Sequence, residues 1–357
     1  MKVLFVSGRE PTYTRNVVIL KGIKENGVEV IECTSLLGSY LSRYPNVLAK
    51  FLLKHDYDLV FVGFFGQPLV PIIKKISNKP IIFDAFLSAY DTMCFDRKRF
   101  GPNSHGGKFF YWLDKHSCEL ADKVLLDTNA HIDYFVNTFE LNRKKFQRVF
   151  VGADDSIFYL RVRDVKKEDS TFRVFYYGTH RPLQGIEYII RAAKKLESYK
   201  DIDFEIVGKG PEHEKIMKFV QELDVRNITV IDWIPYEKLP LEIADADICL
   251  GGHFSSIDKA KRTIAGKTFQ FIAMKKPVII GDSPANRELF EDKKNALFVE
   301  HANPDALADA ILELKDDESL REKIAEGGHK TFKERCTPKI IGKEIKEIME
   351  EVLEKRG

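Results

Sequence analysis

The amino-acid sequence predicts an α/β fold made of two doubly wound, Rossmann-like domains. Short apolar runs alternate with segments of helical periodicity, which is typical of parallel sheets covered by helices on both faces. The alternation begins a second time near residue 171, after a charged stretch that lacks apolar periodicity. The length of 357 residues is sufficient for two domains, each with its own core.

The first set of elements is expected within residues 1–158. A strand-like opening, KVLFVSG, is followed by the helical pattern NVVILKGIKENG, which Gly27 ends as a C-cap glycine would. Further strands of this sheet are predicted in VEVIEC, DLVFVGFFG, KPIIFDAF and ADKVLLDT. The stretch VFVGADDSIF, residues 149–158, is interpreted as a last strand and a turn-rich exit.

The charged stretch RVRDVKKEDS, residues 161–170, is the predicted linker to a second domain. The strands of that domain are predicted in FRVFYYGTHR, DFEIVGKGPE, NITVIDWIP, ADICLGG and KPVIIGD, and amphipathic helices close the chain. We therefore expect a first domain over residues 1–164, a second over residues 165–337 and a C-terminal helix over residues 338–357.

Composition and charge exclude several classes of protein. No apolar run approaches the roughly 18 residues of a membrane-spanning helix, and the N-terminus is too short and too polar for a secretory signal. Five scattered cysteines indicate reduced thiols in the cytoplasm. Residues 1–164 carry a net charge of +5 and the remainder −3. The basic first half suits a membrane surface or a phospholipid-linked acceptor at the inner face of the membrane, a chance imbalance being the alternative, and no nucleic-acid partner is expected.

Three motifs that suggest other functions do not satisfy their own requirements. The Ala-Gly-Lys-Thr at residues 265–268 resembles the end of a P-loop, but Lys261 stands where that loop needs its first glycine. The first predicted loop, SGREPTYTRN, has no GxGxxG, so a dehydrogenase is not expected. The pairs DYD and DAD, at residues 56–58 and 245–247, precede strands, and the histidines lack HxxxH or HExxH spacing. No metal site and no cofactor are predicted.

The second half resembles the C-terminal domain of the GT-B glycosyltransferases, specifically the retaining family 4, or group 1. The stretches that carry the resemblance are FYYGTHRPLQGIEYIIRAAKKL, DFEIVGKGP, ITVIDWIPYEKLPLEIADADICL, FQFIAMKKPVIIGDSPANRELF and NALFVEHANPDALADAIL. This resemblance implies two facing Rossmann-like domains, the first binding an acceptor and the second a nucleotide-sugar donor. It also implies that the C-terminal helix crosses back to the first domain.

The resemblance also implies which loops hold the donor. Gly208 would let the backbone approach the nucleotide, and the strand end at Trp233 and Ile234 would face the base, although Trp233 is rather expected in the core or as a lid. Members of the family usually have two Glu eight positions apart, where this chain has Arg262 and Gln270. Gln270 can still hydrogen-bond a ribose, whereas Arg262 suits an acidic sugar or a phosphate.

The usual basic residues of the diphosphate loop are replaced by Thr179 and Gln184. Arg181 and Lys267 are expected to take over the charge of the leaving diphosphate, a solvated surface pair being the alternative. The N–H groups at a helix start would assist them. Further candidate binding residues are Gly178 and His180 in the same loop, Ala265, Gly266 and Thr268 at the helix start, and Gly8 and Arg9 in the first loop.

Asp84 stands where retaining members often have a His, and it is predicted either to act on the acceptor or transition state or to cap a loop. The sequence therefore predicts a retaining, metal-independent glycosyltransferase that moves a sugar from a nucleotide-sugar to the hydroxyl of a carbohydrate or lipid-linked acceptor. Cell-surface polysaccharide or glycolipid assembly is the expected setting. A nucleotide-sugar epimerase, an inverting transferase and a non-catalytic nucleotide-sugar-binding protein remain alternatives.

Overall fold

The structure, a computed structural model, describes residues 1–161 and 171–355. The chain divides into two compact units: unit 1 comprises Met1–Gly152 with Arg335–Gly357, and unit 2 comprises Ala153–Glu334. Each unit contains one six-stranded parallel sheet surrounded by helices, which confirms the predicted α/β class. The predicted boundary after residue 164 and the linker beyond Arg161 lie outside the described residues.

The sheet of unit 1 has the strand order β2-β1-β3-β4-β5-β6, with all neighbours parallel. Its strands are β1 (Lys2–Ser7), β2 (Glu29–Cys33), β3 (Leu59–Gly63), β4 (Ile81–Asp84), β5 (Lys123–Leu126) and β6 (Phe146–Arg148). The helices that connect them are α1 (Thr14–Glu25), α2 (Tyr40–Leu52), α3 (Leu69–Ile76), α4 (Ala89–Asp91), α5 (His105–Leu120) and α6 (Asn129–Phe139). The central strand β3 is buried throughout, as expected of a strand covered on both faces.

The sheet of unit 2 has the order β12-β11-β10-β7-β8-β9, which is that of a dinucleotide-binding Rossmann domain. Its strands are β7 (Phe172–Tyr177), β8 (Ile202–Val207), β9 (Ile228–Ile231), β10 (Ile248–Leu250), β11 (Val278–Gly281) and β12 (Leu297–Val299). Its helices are α7 (Ile186–Lys195), α8 (His213–Glu222), α9 (Leu239–Asp245), α10 (Gly266–Ala273), α11 (Pro304–Asp316) and α12 (Glu318–Arg335). Its order reverses between β7 and β10.

The C-terminal helix α13 (Pro338–Glu354) belongs to unit 1, where it packs along α1. The two helices cross at Gly22 and Gly342, and a Cβ atom on either glycine would overlap the backbone of the other helix. Their apolar faces enclose one core layer of unit 1 with Ile19, Ile345 and Met349. Within the described ranges, none of the helices is both long and apolar enough to cross a bilayer.

Two strand predictions need correction. The last strand of unit 1 is β6, whereas the predicted segment at residues 149–158 is not a strand. The guanidinium of Arg15 donates to the carbonyls of Val149 and Phe150 at 2.9 and 2.8 Å, so these acceptors bond to a side chain. The sequence also predicted five strands in the second sheet and missed β12, which has only three residues.

Candidate functional site

The reversal of strand order in unit 2 marks its candidate site. The strands β7 and β10 are neighbours, and from them the chain continues toward opposite edges of the sheet, to β8 on one side and to β11 on the other. In open α/β sheets, ligands bind beyond the carboxyl ends of the strands at such a point. The loop after β7 and the segment from β10 to α10 are therefore the places where functional side chains are expected.

Lys267 connects these two segments. It lies in the first turn of α10, its side chain is only 7% exposed, and its Nζ donates to Gln184 Oε1 at 2.6 Å. The hydroxyl of Tyr176 donates to the same oxygen at 2.9 Å, and Lys267 Nζ lies 4.7 Å from the centroid of the Tyr176 ring. The candidates Lys267 and Gln184 are thus in direct contact, and both contact the buried side chain of Tyr176.

The charge of Lys267 is not balanced by the described part of the protein. An ammonium group has three N–H donors, and Gln184 Oε1 accepts from only one of them. No carboxylate of the described residues lies within ion-pair distance of Lys267. Burial lowers the pKa of Lys267 to about 7, since desolvation disfavours its charged form. A bound anion would supply the missing charge and acceptors.

Glycines make room for backbone and side chains around Lys267. A Cβ atom on Gly178 would come within 3.2 Å of Lys267 Cε, and one on Gly208 would overlap the carbonyl oxygen of Gly178. Gly208 also has a φ of +147°, which side-chain-bearing residues rarely adopt. The close contact of the β7 and β8 loops therefore requires Gly208. Its predicted contact with a nucleotide stays a prediction.

The start of α10 presents further polar groups. The N–H of Thr268 donates to the carbonyl of Ala265 at 2.9 Å, which leaves the first-turn amides of Gly266 and Lys267 as candidate anion donors. Gln270 lies one turn after Lys267 and is 3% exposed. Among the described residues, Gln270 Oε1 and Thr268 Oγ1 have no hydrogen-bond partner although both are buried. They remain available for a ligand.

The candidates Arg181, Arg262 and Thr179 lie nearer the surface. Arg181 is half-buried, and no described residue hydrogen-bonds or ion-pairs with its guanidinium. Thr179 is exposed. Arg262 is half-buried and follows a short helical turn, with its N–H donating to the carbonyl of Lys259 at 3.1 Å. Arg181 therefore has a free guanidinium in the loop that also carries Gln184.

His180 does not supply a positive charge to this site. It is fully buried and stacks on His213 at 5.1 Å between ring centroids, with 3.2 Å between the Nδ1 atoms. Burial and the neighbouring His213 lower the pKa of His180 to about 4, so its imidazole is neutral at neutral pH. His213 in turn approaches Asp232 at 3.2 Å. His180 thus belongs to a buried histidine pair.

Trp233 and Ile234 follow β9 at the edge of the sheet. Trp233 is 73% exposed, so the interpretation that it belongs to the core is wrong, and Ile234 is half-buried. Because β8 lies between β9 and β7, these residues are two strands from the reversal point. Their contact with a base stays a prediction.

The remaining candidates lie in unit 1. A Cβ atom on Gly8 would overlap the carbonyl oxygen of Phe65, and Arg9 Nη1 donates to the hydroxyl of Tyr40 at 2.7 Å. Asp84, the last residue of β4, is fully buried and accepts from Arg15 Nε and Nη2 at 3.1 and 2.9 Å. Asp84 therefore has a structural partner, and its catalytic role stays a prediction.

Two residues of the unit 2 site were missed from the sequence. Tyr176 lies in β7, where its hydroxyl donates to Gln184 and its ring lies beside Lys267, and an aromatic residue within a predicted strand is no signal of such a role. His253 follows β10, and burial, with the charge of Lys267 as a further cause, holds its pKa well below the ordinary value. A Gly-Gly-His sequence directly after a predicted strand is the signal from which His253 could have been found.

The two Asp-x-Asp sequences have structural partners at the amino ends of strands. Asp58 accepts from the N–H of Lys2, and Asp247 accepts from the N–H of Arg173, both at 2.7 Å. These contacts connect the start of one strand to the turn before another. In the part of the chain that the structure describes, no group of three or more His, Cys, Asp and Glu side chains is placed to hold a metal ion.

A known family model matches most of unit 2. Residues 161–331 match the family model described as "Glycosyl transferases group 1". Most of unit 2 is therefore similar to the group 1 glycosyl transferases. The match covers the loop after β7, the glycine loop after β8 and all of α10, so every candidate of the Lys267 site lies within the matched residues.

Two curated relatives and one solved structure extend this comparison. Alpha-D-kanosaminyltransferase of Streptomyces kanamyceticus is 23% identical over 266 residues, covering 72% of this chain and 64% of the relative. The lipopolysaccharide core biosynthesis glycosyltransferase LpsD of Rhizobium meliloti is 26% identical over 179 residues, covering 50% of this chain and 49% of the relative. The chain thus spans less than two thirds of the length of these relatives.

The structure of Anabaena Alr3699/HepE in complex with UDP superimposes with a TM-score of 0.73 at 16% identity. The match covers 98% of this chain and the whole of that one. At this identity the likeness concerns the fold, and it shows that the chain has the two-domain GT-B-like fold.

Proposed function

We propose that the chain is a retaining glycosyltransferase that moves a sugar from a nucleotide-sugar to a hydroxyl group of an acceptor. The observation that carries the proposal is the buried Lys267 ammonium, which has one neutral acceptor and no described carboxylate partner. A buried cation without a counter-charge is costly, and a diphosphate supplies both the charge and the acceptors.

Three kinds of groups bind the diphosphate in the proposed site. Lys267 binds the diphosphate oxygens, the amides at the start of α10 add their dipoles, and Arg181 closes over the outer phosphate. Negative charge develops on the leaving phosphate as the sugar bond breaks, and these groups stabilise it in the transition state. Gln270 Oε1, which has no partner among the described residues, accepts a hydrogen bond from a hydroxyl of the ribose. In this proposal these groups stabilise the charge of the leaving diphosphate without a metal ion.

Support for the donor class comes from the family match and from the neighbour solved with UDP. The family match supports glycosyl transfer, and the relative named for lipopolysaccharide core biosynthesis supports a role in cell-surface polysaccharide assembly. Retention of anomeric configuration is proposed from the resemblance of the motifs. Arg262, in place of the usual carboxylate, favours a donor sugar that carries an acidic group.

A thermal-shift screen against UDP-, GDP-, ADP-, dTDP- and CMP-linked sugars tests the donor class, because a specific ligand raises the melting temperature. The variant Lys267→Met should lose the shift, whereas the exposed-lysine control Lys218→Met should keep it. With the donor identified, the anomeric configuration of the product by NMR tests retention. An inverted product would contradict it, and interconversion of donors without acceptor would indicate an epimerase.

A further inference from the structure

Unit 1 contains a cavity of about 330 Å³ that none of the site candidates occupies. It lies beside the loop that follows β3, which contributes Phe65 and Gln67 to its lining. The strands β1 and β3 are neighbours where the strand order of the first sheet reverses, so the cavity adjoins the ligand-binding edge of that sheet. Its volume is at the lower end of the range of about 300–1,000 Å³ seen for small-ligand pockets.

The walls of the cavity are aromatic and offer few free polar groups. The rings belong to Tyr40, Tyr44, Phe65, Phe109 and Phe110. The hydroxyl of Tyr40 already accepts from Arg9, and that of Tyr44 donates to the carbonyl of Phe65 at 2.9 Å. A sugar ring needs a partner for nearly every hydroxyl, so this lining suits an apolar chain better than a carbohydrate.

One buried polar group remains available in the lining. Gln67 is 3% exposed, and its Nε2 donates to the carbonyl of Leu87 at 2.9 Å. Its Oε1 is buried and has no hydrogen-bond partner among the described residues. An acceptor of this kind suits a single hydroxyl of an otherwise apolar ligand.

Two arginines give the cavity a positive side. Arg97 and Arg99 both contribute to its lining, and both are exposed to solvent, as is Lys98 between them. No described residue ion-pairs with the guanidinium of Arg99. This concentration of cations next to an apolar cavity fits a ligand with an anionic group at one end.

Exposed apolar side chains continue from the cavity onto the surface. Phe109, in the lining, is 52% exposed, and the half-exposed ring of Trp112 lies 6.2 Å from it. Leu41, next to Tyr40, is 89% exposed. Exposed Trp, Phe and Leu beside arginines and lysines are typical of protein surfaces that lie on anionic membranes.

We propose that this cavity binds an anionic phospholipid at a bilayer surface, with acyl carbons against the aromatic walls and the phosphate at Arg97 and Arg99. The charge complementarity of the cavity and its rim selects this occupant over a neutral one. The inference goes beyond the transfer reaction and does not depend on it, since lipid binding is measured without a donor.

Co-sedimentation of the full chain with phosphatidylglycerol vesicles tests the proposal. Wild type should pellet with these vesicles and remain in solution with phosphatidylcholine vesicles. Phe109→Ser/Arg99→Gln should bind at least about tenfold more weakly, because it removes one charge and one apolar contact. The control Leu241→Ser/Lys144→Gln removes one exposed leucine and one exposed lysine elsewhere and should bind as wild type does. Circular dichroism establishes that both variants are folded.

Two competition experiments separate the sources of the ligand chemistry. Monomeric dihexanoyl phosphatidylglycerol should displace the protein from vesicles, since it fills the same cavity. Inorganic phosphate should displace no more protein than sodium chloride of equal ionic strength. Equal binding of variant and wild type, equal binding to both vesicle types, absence of wild-type binding, failure of the short-chain lipid to compete or full competition by phosphate would each overturn the proposal.

Discussion

The Nζ of Lys267 lies 2.6 Å from the Oε1 of Gln184, although 83 residues separate the two in the chain. The amide oxygen is shared with the Tyr176 hydroxyl and carries no full charge, so the ammonium keeps unused donors and an unbalanced charge. This relationship holds the loop after β7 against the start of α10 and is the basis of the first two predictions.

Replacing Lys267 with methionine is expected to stabilise the ligand-free protein and to abolish donor binding. The lysine is buried with a pKa of about 7, well below its ordinary value of 10.5. This shift corresponds to a cost on the order of 5 kcal/mol below pH 7, of which an isosteric apolar side chain recovers part. Loss of one charged group at the leaving phosphate should reduce kcat/KM at least about a hundredfold.

Urea denaturation and steady-state kinetics measure these two effects of Lys267→Met. The matched control is Lys218→Met, because Lys218 lies on the exposed side of α8 in the same unit. The control should change neither stability nor turnover. A less stable Lys267→Met protein with unaltered turnover would show that the lysine has a purely structural role.

Donor affinity is expected to fall as the pH rises above about 7. In the free protein the pKa of Lys267 is about 7, and a bound diphosphate raises it because it stabilises the charged form. Binding therefore takes up a proton at pH values between the free and the bound pKa. Calorimetry of UDP binding in buffers of different ionisation enthalpy should detect this uptake at pH 8 in wild type and not in Lys267→Met.

Replacing Gly208 with alanine is expected to destabilise unit 2. A Cβ atom at this position would overlap the carbonyl of Gly178, and its φ of +147° is strained for alanine. The cost should be about 1–3 kcal/mol in the free energy of unfolding. Gly38→Ala is the control, because a Cβ there meets no atom within 4 Å. Equal stability of both variants would contradict this account of the glycine loops.

Removing the Asp84 carboxylate is expected to act on folding. Asp84→Ala leaves the fully buried Arg15 guanidinium without its counter-charge, which should cost about 3–5 kcal/mol. Donor-induced thermal shifts should persist in the folded fraction, since the donor site is proposed in unit 2. A stable Asp84→Ala protein with turnover reduced a hundredfold would instead support the catalytic role predicted from the sequence.

Chelation is expected to leave turnover unchanged, because lysine, arginine and backbone amides carry the proposed charge stabilisation. Initial rates before and after treatment with EDTA, with and without added Mg²⁺, measure this. A strong loss of turnover with EDTA, reversed by Mg²⁺, would show that a metal ion binds the diphosphate. That result would contradict the proposal that lysine, arginine and backbone amides stabilise its charge.

The sequence predicted the architecture because hydrophobic periodicity is local. Buried strands such as β3 are uninterrupted apolar runs, and helices such as α7 repeat apolar residues at helical spacing. The short strand β12 has too few residues for periodicity to show. The last strand of unit 1 was predicted one segment too late, at residues 149–158, where Arg15 takes the carbonyls of Val149 and Phe150.

The candidate site was predictable only in part. The loop positions followed from the rule for parallel sheets, and Lys267 followed from its motif. The support from Tyr176, the burial of His180 against His213 and the pairing of Asp84 with Arg15 depend on residues distant in the chain. Local pattern carries no information about such contacts, so functional roles were predicted for residues such as His180 and Asp84 that have structural partners in the fold.

The most direct test of the proposed diphosphate site is a crystal structure of the protein with the nucleoside diphosphate selected by the thermal-shift screen. We expect phosphate oxygens within hydrogen-bond distance of Lys267 Nζ and of the amides of Gly266 and Lys267. Phosphates bound elsewhere, with Lys267 still donating to Gln184 alone, would contradict it.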